Sequence, residues 1–307
     1  MRQLTRHFGA VVAVDGIAFE VQPGELFGLV GPDGAGKTTT LRMLAGVLPP
    51  TSGDALVRNV SVAREAEAVK EHIAYMSQRF GLYADLSVRE NIDFYADLYR
   101  VPAKIRAERL ERLYHFSNLG PFANRLAGQL SGGMQQKLGL CCALIHQPEI
   151  LLLDEPTFGV DPISRRELWL ILQEMIAQGV TVLMATSYMD EAERCHRVAL
   201  LDKGRIVALD LPHSLRRGLG GQMLAVQLDD LRAGAALLTK VPQVSRANLF
   251  GNVLHVVLPS GADAWPAARA ALERGGLRVI DAHEIEPSLE DVFIDRVAPG
   301  PAQGAPS

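Results

Sequence analysis

The chain has 307 residues, long for one domain and short for three, and 48% of them are apolar, ample material for a core. A formal charge of -4 argues against a dedicated nucleic-acid binder, which would carry a basic excess or stripe, though it excludes no local patch. Cys141, Cys142 and Cys195 make no disulfide framework, and no spanning helix of ~20 apolar residues or signal peptide is read, so a reduced, cytosolic chain is expected.

Residues 11–30 read as strands, and Leu26–Val30 leads into a glycine-rich loop. A helix from about Gly36 to Ala45 follows; LPPTSGDALV then turns the chain into another strand, and Ile73–Ser77 is a short one. Ser87 is a predicted N-cap, with Glu90 placed for a capping box, for a helix to about Tyr99. Pro102 restarts a helix through about Phe116, and another follows LSGGM and stops by His146, before Pro148. Ile150–Leu153 is a buried strand ending in acid. Leu168, Ile171, Leu172, Met175 and Ile176 form a helical stripe over 163–178, Gly179 ends it, and Val180–Ala185 is the next strand.

Strands alternating with helices predict an α/β fold with a parallel sheet. The helical stretch of about 85–125 looks inserted, because no strand signal interrupts it. Beyond about residue 220, MLAVQL, VLHVVL and LRVIDAHEI are strand-like, while DLRAGAALLTKV and AWPAARAALERGG are helix-like. A small C-terminal α+β domain of four short strands and two helices is expected there. The Pro/Gly/Ala/Ser-rich tail, 298–307, is expected to be disordered.

GPDGAGKTT, residues Gly31, Pro32, Asp33, Gly34, Ala35, Gly36, Lys37, Thr38 and Thr39, fits G-x-x-x-x-G-K-[ST] between a strand and a helix. The glycines let backbone amides converge on phosphate oxygens, and the helix N-terminus adds favourable partial charge. Lys37 is expected on the β- and γ-phosphates, Thr38 on Mg²⁺ and Thr39 on the α-phosphate. Asp154 and Glu155, at the end of LLLDE, are placed for Mg²⁺ and for the attacking water respectively, since phosphoryl transfer rests on positioning and charge neutralisation. In LSGGM, Ser131, Gly132 and Gly133 open a helix and form a second anion-binding N-terminus. One chain thus carries two phosphate cradles, and the second needs another nucleotide.

With these motifs in this order, the chain resembles the nucleotide-binding subunit of an ATP-binding cassette (ABC) transporter, over about residues 2–217. The resemblance implies a P-loop NTPase core at 1–217, a helical subdomain at about 80–147 and an accessory domain at 218–297, whose closing PSLEDVFID is similar to the end of that domain in export subunits. It implies a head-to-tail dimer, in which each LSGGM closes over the ATP of its partner. Phe8 matches the aromatic that stacks on adenine. Gln78 matches the glutamine that senses Mg²⁺ and water and borders the transmembrane partner, and Asp161 matches the aspartate that crosses the dimer.

Two residues depart from the family pattern. Asp33 stands where Asn is usual, and its side chain is expected to point away from the ligand. Ser187, in ATSYMDEAER, stands in place of the switch histidine, which normally contacts the γ-phosphate; loss of one preorganised donor is worth roughly 10²–10³ in rate. His196 is read as a solvated loop histidine rather than a substitute. His72, His115 and His146 have no metal-ligand spacing and read as surface or helix-end residues. Cys141 and Cys142 read as core packing, and RLERLYHF as a solvated helix face.

The wording of LAGQLSGGMQQKLGL and GVDPISRRELW most resembles the first of two tandem ABC domains in bacterial multidrug-exporter subunits, first domains that can lack the switch histidine. The tail suits a detached half or a stand-alone subunit, and the nearness of residue 1 to the first strand suits a trimmed start. The expected function is ATP-driven export, of drugs or other hydrophobic compounds, at the cytoplasmic face of the membrane. Expected partners are transmembrane permease subunits and a second ABC domain, identical or different, with no nucleic acid. The alternatives are a slowly hydrolysing regulatory domain that lends LSGGM to a competent partner, and a soluble ABC ATPase without a permease.

Overall fold

The computed structural model describes residues 1–78, 81–259 and 264–297. The chain divides into two compact units, Met1–Pro212 and a second from His213 onward.

The first unit begins with β1 (Arg2–Phe8), β2 (Val11–Ile17), β3 (Leu26–Val30), α1 (Lys37–Leu44), β4 (Ser52–Asp54), a small hairpin of β5 (Leu56–Val57) and β6 (Val60–Ser61), α2 (Ala66–Val69) and β7 (Ile73–Met76). It continues through α3 (Val88–Leu98), α4 (Ala103–Ser117), α5 (Gly132–Leu144), β8 (Ile150–Asp154), α6 (Pro162–Ala177), β9 (Thr181–Thr186), α7 (Met189–Ala192), β10 (Arg197–Asp202) and β11 (Arg205–Asp210). The main sheet runs β11-β10-β3-β9-β8-β7, parallel from β10 to β7, with β11 antiparallel on one edge. Every residue of β3 is buried, and β8 and β9 are buried except at their first residues. Strands covered on both faces need such continuous apolar runs, which is why LFGLV, ILLL and VLMA stand out in the sequence.

Register sets up the site. Val30 lies opposite Thr186, and Ala185 opposite Asp154, so β3, β9 and β8 end side by side. The loops that leave these strands therefore start from one crevice at the carboxyl edge of the sheet, where open α/β sheets bind ligands.

β1, β10 and β11 lie outside the elements that the apolar pattern predicts. β1 buries only Leu4, and a strand so polar carries no hydrophobic alternation. It joins β2 and β4 in a small antiparallel sheet whose Leu4, Val14 and Ile17 enter the same core as Phe27, Leu29 and Leu41. β10 and β11 are joined by Lys203 and Gly204, both at positive φ (46° and 81°), the backbone of a two-residue hairpin turn. That turn is clamped. The Gly204 N–H donates to the Ala35 carbonyl at 3.0 Å, and the Gly204 carbonyl accepts from the Asp15 N–H at 2.9 Å. In α3 the capping box forms as read: the Glu90 N–H donates to Ser87 Oγ at 3.2 Å, and the Ser87 N–H to Glu90 Oε2 at 2.8 Å.

The helix α8 (Pro212–Arg217) spans the boundary between units, and β12 (Gln222–Leu228), α9 (Leu231–Leu238), β13 (Arg246–Phe250), β14 (Val253–Leu258), α10 (Trp265–Arg274), β15 (Val279–Ile285) and α11 (Leu289–Val297) follow. The order β13-β14-β12-β15, with every pair antiparallel, gives the βαββαβ ferredoxin-like arrangement. Leu224, Val226, Leu254 and Val256 of its sheet pack with Leu238, Ala268 and Leu272 of α9 and α10. The four strands match expectation; α11 adds one helix to the two expected, and α8 ends before residue 218, where that domain was expected to begin. α11 is short, and polar contacts start it: Asp291 accepts from the Ser288 N–H and hydroxyl, and pairs with His255 Nδ1 at 2.7 Å. The tail expected to be disordered, and Arg79 and Phe80 beside Gln78, lie outside the described residues.

Candidate functional site

Lys37, the first residue of α1, is buried under the loop 31–36. Its Nζ donates to the carbonyls of Gly31 (2.7 Å) and Pro32 (3.1 Å) and to Ser187 Oγ (2.9 Å), and lies 3.2 Å from Glu155 Oε1. Ser187 follows β9 and closes this arrangement. Its hydroxyl donates to Glu155 Oε1 at 2.7 Å and its N–H to Glu155 Oε2 at 3.1 Å. Glu155 itself sits at φ 51°, a left-handed backbone rare for a side chain of its length and typical of functional turns. One residue earlier, Asp154 accepts from Thr38 Oγ1 at 2.9 Å and from the Tyr75 hydroxyl at 3.2 Å. Burial raises the Asp154 carboxyl above its ordinary range, and the Thr38 and Tyr75 donors oppose that rise.

The loop itself is held from behind. A Cβ on Gly36, whose φ is 103°, would lie 2.4 Å from the Ala13 carbonyl, so only glycine lets β2 and the loop approach this closely. Through Ala13 the β1–β2 hairpin, which carries Phe8 at its turn, leans on the loop. Phe8 is exposed, with the Arg6 guanidinium 4.7 Å from its ring centroid. Thr39 is half-buried; Pro32, Asp33 and Gly34 are exposed, and Asp33 enters no hydrogen bond or ion pair among the described residues.

Ser131, Gly132, Gly133 and Asp161 form a second cluster. Ser131 caps α5, its Oγ accepting from the Met134 N–H at 3.3 Å. Asp161 caps α6, accepting from the N–H groups of Ser164 (2.9 Å) and Ile163 (3.1 Å), and the Ser164 N–H holds its carboxyl below the ordinary range. A Cβ on Gly133 would lie 2.2 Å from Ser164 Oγ, so the two helix starts are in direct contact. Gln78 is exposed in a cleft of about 290 Å³ beside Gly132, Gln135 and Phe158. No hydrogen bond joins Gln78 to Thr38 or Asp154, or Ser131 to Lys37, among the described residues.

Several supporting residues carried no motif signal. Tyr75 reaches Asp154 from β7. Glu191, on α7 and 1% exposed, accepts from the hydroxyls of Thr157 and Thr186, the latter at 2.8 Å. The Tyr188 N–H donates to Thr186 Oγ1 at 3.0 Å, and the Arg165 guanidinium lies 4.6 Å over the Tyr188 ring. His196 holds the other end of the sheet: its Nδ1 accepts from the Leu26 N–H at 3.0 Å, a whole strand length from Ser187. His146 follows the end of α5, a helix-end residue as read, but it is half-buried against Tyr99 with ring centroids 3.8 Å apart, and burial pushes it down to about 4. Cys141 and Cys142 are buried in α5, as read.

A family model described as ABC transporter matches residues 14–158, and one described as ATP-binding protein DrrA1-3-like, C-terminal domain, matches residues 212–297. Nod factor export ATP-binding protein I of Cupriavidus metallidurans is 36% identical over 296 residues, 96% of this chain and 95% of the relative. The chain belongs to the ABC transporter ATP-binding family. The Escherichia coli K12 protein named probable multidrug ABC transporter ATP-binding protein YbhF is 43% identical over 277 residues, 90% of this ABC chain but 47% of the relative, so the chain spans about half of that protein. A solved ATP-binding subunit of an ABC transporter is 28% identical with a TM-score of 0.65, covering 71% of this chain and 91% of that one. A dimeric cassette bound to ADP and Pi is 25% identical with a TM-score of 0.62, covering 68% and 97%. This ABC chain therefore has the P-loop α/β core of that family, the fold expected from its motifs.

The donors present suit a divalent cation of the Mg²⁺ type. Such an ion takes one or two protein oxygens and completes its shell with phosphates and water, and Thr38 and Asp154 offer adjoining hydroxyl and carboxylate oxygens. Among the described residues no group of three or more His, Cys, Asp or Glu forms a metal cage.

Proposed function

We propose that this ABC chain binds and hydrolyses ATP in a head-to-tail dimer and drives export through separate permease subunits. The observation that carries the proposal is the convergence of Lys37, Ser187 and Glu155 at the ends of β3, β9 and β8. A cation, a hydroxyl and a carboxylate at that point suit a γ-phosphate and the water that attacks it.

Lys37 is engaged by Glu155 and Ser187, so binding ATP requires it to exchange these partners for phosphate oxygens. That exchange frees Glu155 to orient the water, with Ser187 steadying the carboxylate. Mg²⁺, held by Thr38 and Asp154 with Gln78 brought in from its cleft, would neutralise phosphate charge. The amides of residues 31–39 cradle the phosphates, and Phe8 stacks on adenine once Arg6 gives way. Ser131, Gly132 and Gly133, together with Asp161, serve the nucleotide of the facing domain; their place at the starts of α5 and α6, away from the loop that carries Lys37 in sequence, supports that assignment. We assign the nucleotide-binding domain to 1–217, with the helical part at about 80–147, and the accessory domain to 218–297.

The names of the relatives, one for multidrug transport and one for Nod factor export, support export as the direction, with drugs or other hydrophobic compounds as the cargo class. No helix among the described residues is long and apolar enough to cross a membrane, which fits peripheral attachment through permease subunits. Steady-state ATPase of the purified chain, with Glu155→Gln beside it, tests the chemistry: a loss of about 10²-fold or more is expected for a group that orients the water. Equal rates would sink hydrolysis at this site. Purification from solubilised membranes tests the role, and a complex without a permease would refute export. Ser187 favours a second reading, a slow site supporting a faster partner, which the Ser187→His comparison below decides.

A further inference from the structure

Tyr75 stands opposite Leu152 across the β7–β8 pair. Side chains alternate along a strand, so Leu152 and Asp154 share a face, and Tyr75 lies beside them on that face. Its hydroxyl donates to Asp154 Oδ2 at 3.2 Å, while Thr38 donates to Oδ1 at 2.9 Å. The Asp154 carboxylate, buried at 1% exposure, is thus gripped at both oxygens. The two grips differ in kind. Thr38 sits on the phosphate-binding loop, and in the function proposed above its hydroxyl turns to the cation. Tyr75 sits on the sheet, where its hydroxyl meets Arg42 as well as Asp154 and is not drawn to the nucleotide.

We propose that Tyr75 is a positioning residue for the divalent cation: it fixes the rotation of the Asp154 carboxylate so that one oxygen faces the cation when Thr38 lets go. A phenylalanine would fill the same space and leave the carboxylate free to rotate. Burial, and after it the Asp154 charge, push the Tyr75 hydroxyl up to about 12, with Arg42 opposing, so it remains a donor across the physiological range. Partners of this kind, one step behind the ligating atom, are worth roughly 10–100-fold in metal affinity.

The inference rests on the reading of the site as one for ATP with Mg²⁺, and the experiment separates the two. The whole chain and its Tyr75→Phe variant are titrated with a non-hydrolysable ATP analogue by calorimetry, first in EDTA and then across a range of Mg²⁺ concentrations. Melting temperatures are recorded without ligand. The expected result is unchanged affinity in EDTA, unchanged melting, and a Mg²⁺ requirement raised about tenfold or more. Superimposable Mg²⁺ curves would overturn the inference and leave the site reading intact. Weaker binding in EDTA together with lower melting would also overturn it, because Tyr75 would then support the fold and not the cation. If wild type binds the analogue equally with and without Mg²⁺, the site reading fails and takes the inference with it.

Discussion

Between Lys37 and Glu155 this chain places the hydroxyl of Ser187, which accepts from one and donates to the other. A hydroxyl can hold Glu155 in register, but it carries no charge and reaches less far than an imidazole. Ser187→His is therefore expected to raise turnover, with roughly 10² as the scale for one preorganised donor, and a steady-state ATPase assay reads it. No gain would mean that the hydroxyl suffices and that the site is not the slower of a pair. At this scale the motif residues were legible in the sequence because their chemistry is tied to fixed spacing. The structure brings Lys37, Glu155 and Ser187 into contact, and all three, with Asp154, could be numbered in advance. Tyr75 could not, because its hydroxyl meets Asp154 across a strand pair, and only register brings them together. The left-handed backbone of Glu155 is equally silent in sequence, since nothing about its side chain demands φ 51°.

Among the elements, α7 is the smallest with a clear task. It spans Met189–Ala192, too short to be stable alone, yet it fixes the loop that carries Ser187. Glu191 does this by taking hydroxyls from Thr157, beyond β8, and Thr186, at the end of β9. Glu191→Ala would leave two buried hydroxyls without their acceptor, at about 1–3 kcal/mol each. A urea midpoint well below wild type is expected, with Glu191→Gln losing less because it keeps one acceptor oxygen. Equal midpoints for all three proteins would refute the clamp. Element prediction followed burial. The central strands, buried on both faces, and the capped helix α3 were readable, whereas β1, with one buried residue in seven, was not. The β10–β11 hairpin had a signal in Lys203–Gly204, but a two-residue turn marks a hairpin only once its flanks are read as strands.

For the whole molecule, the proposed head-to-tail dimer makes a prediction that no single site makes. A Glu155→Gln chain keeps its Ser131 helix start, and a Ser131→Arg chain keeps its cluster of Lys37, Glu155 and Ser187. Each homodimer is expected to be silent. Mixing them reconstitutes one complete composite site in each mixed dimer, so partial ATPase activity should return on mixing and nowhere else. Failure to complement would point to pairing with a different ABC chain. Both outcomes bear on the half-length match to the Escherichia coli relative, whose remainder is long enough for a second domain.

The clamped turn at Gly204 bears on how the phosphate loop can be watched. Its amide proton is held by the Ala35 carbonyl, so the proton stays shielded while the loop keeps its shape and becomes free to trade with solvent deuterium when the loop opens. The Gly204 amide is thus a built-in clock for loop opening, reporting without an attached probe and without turnover. ATP is expected to slow that clock in wild type and to leave it running in Lys37→Ala, whichever partner the chain meets.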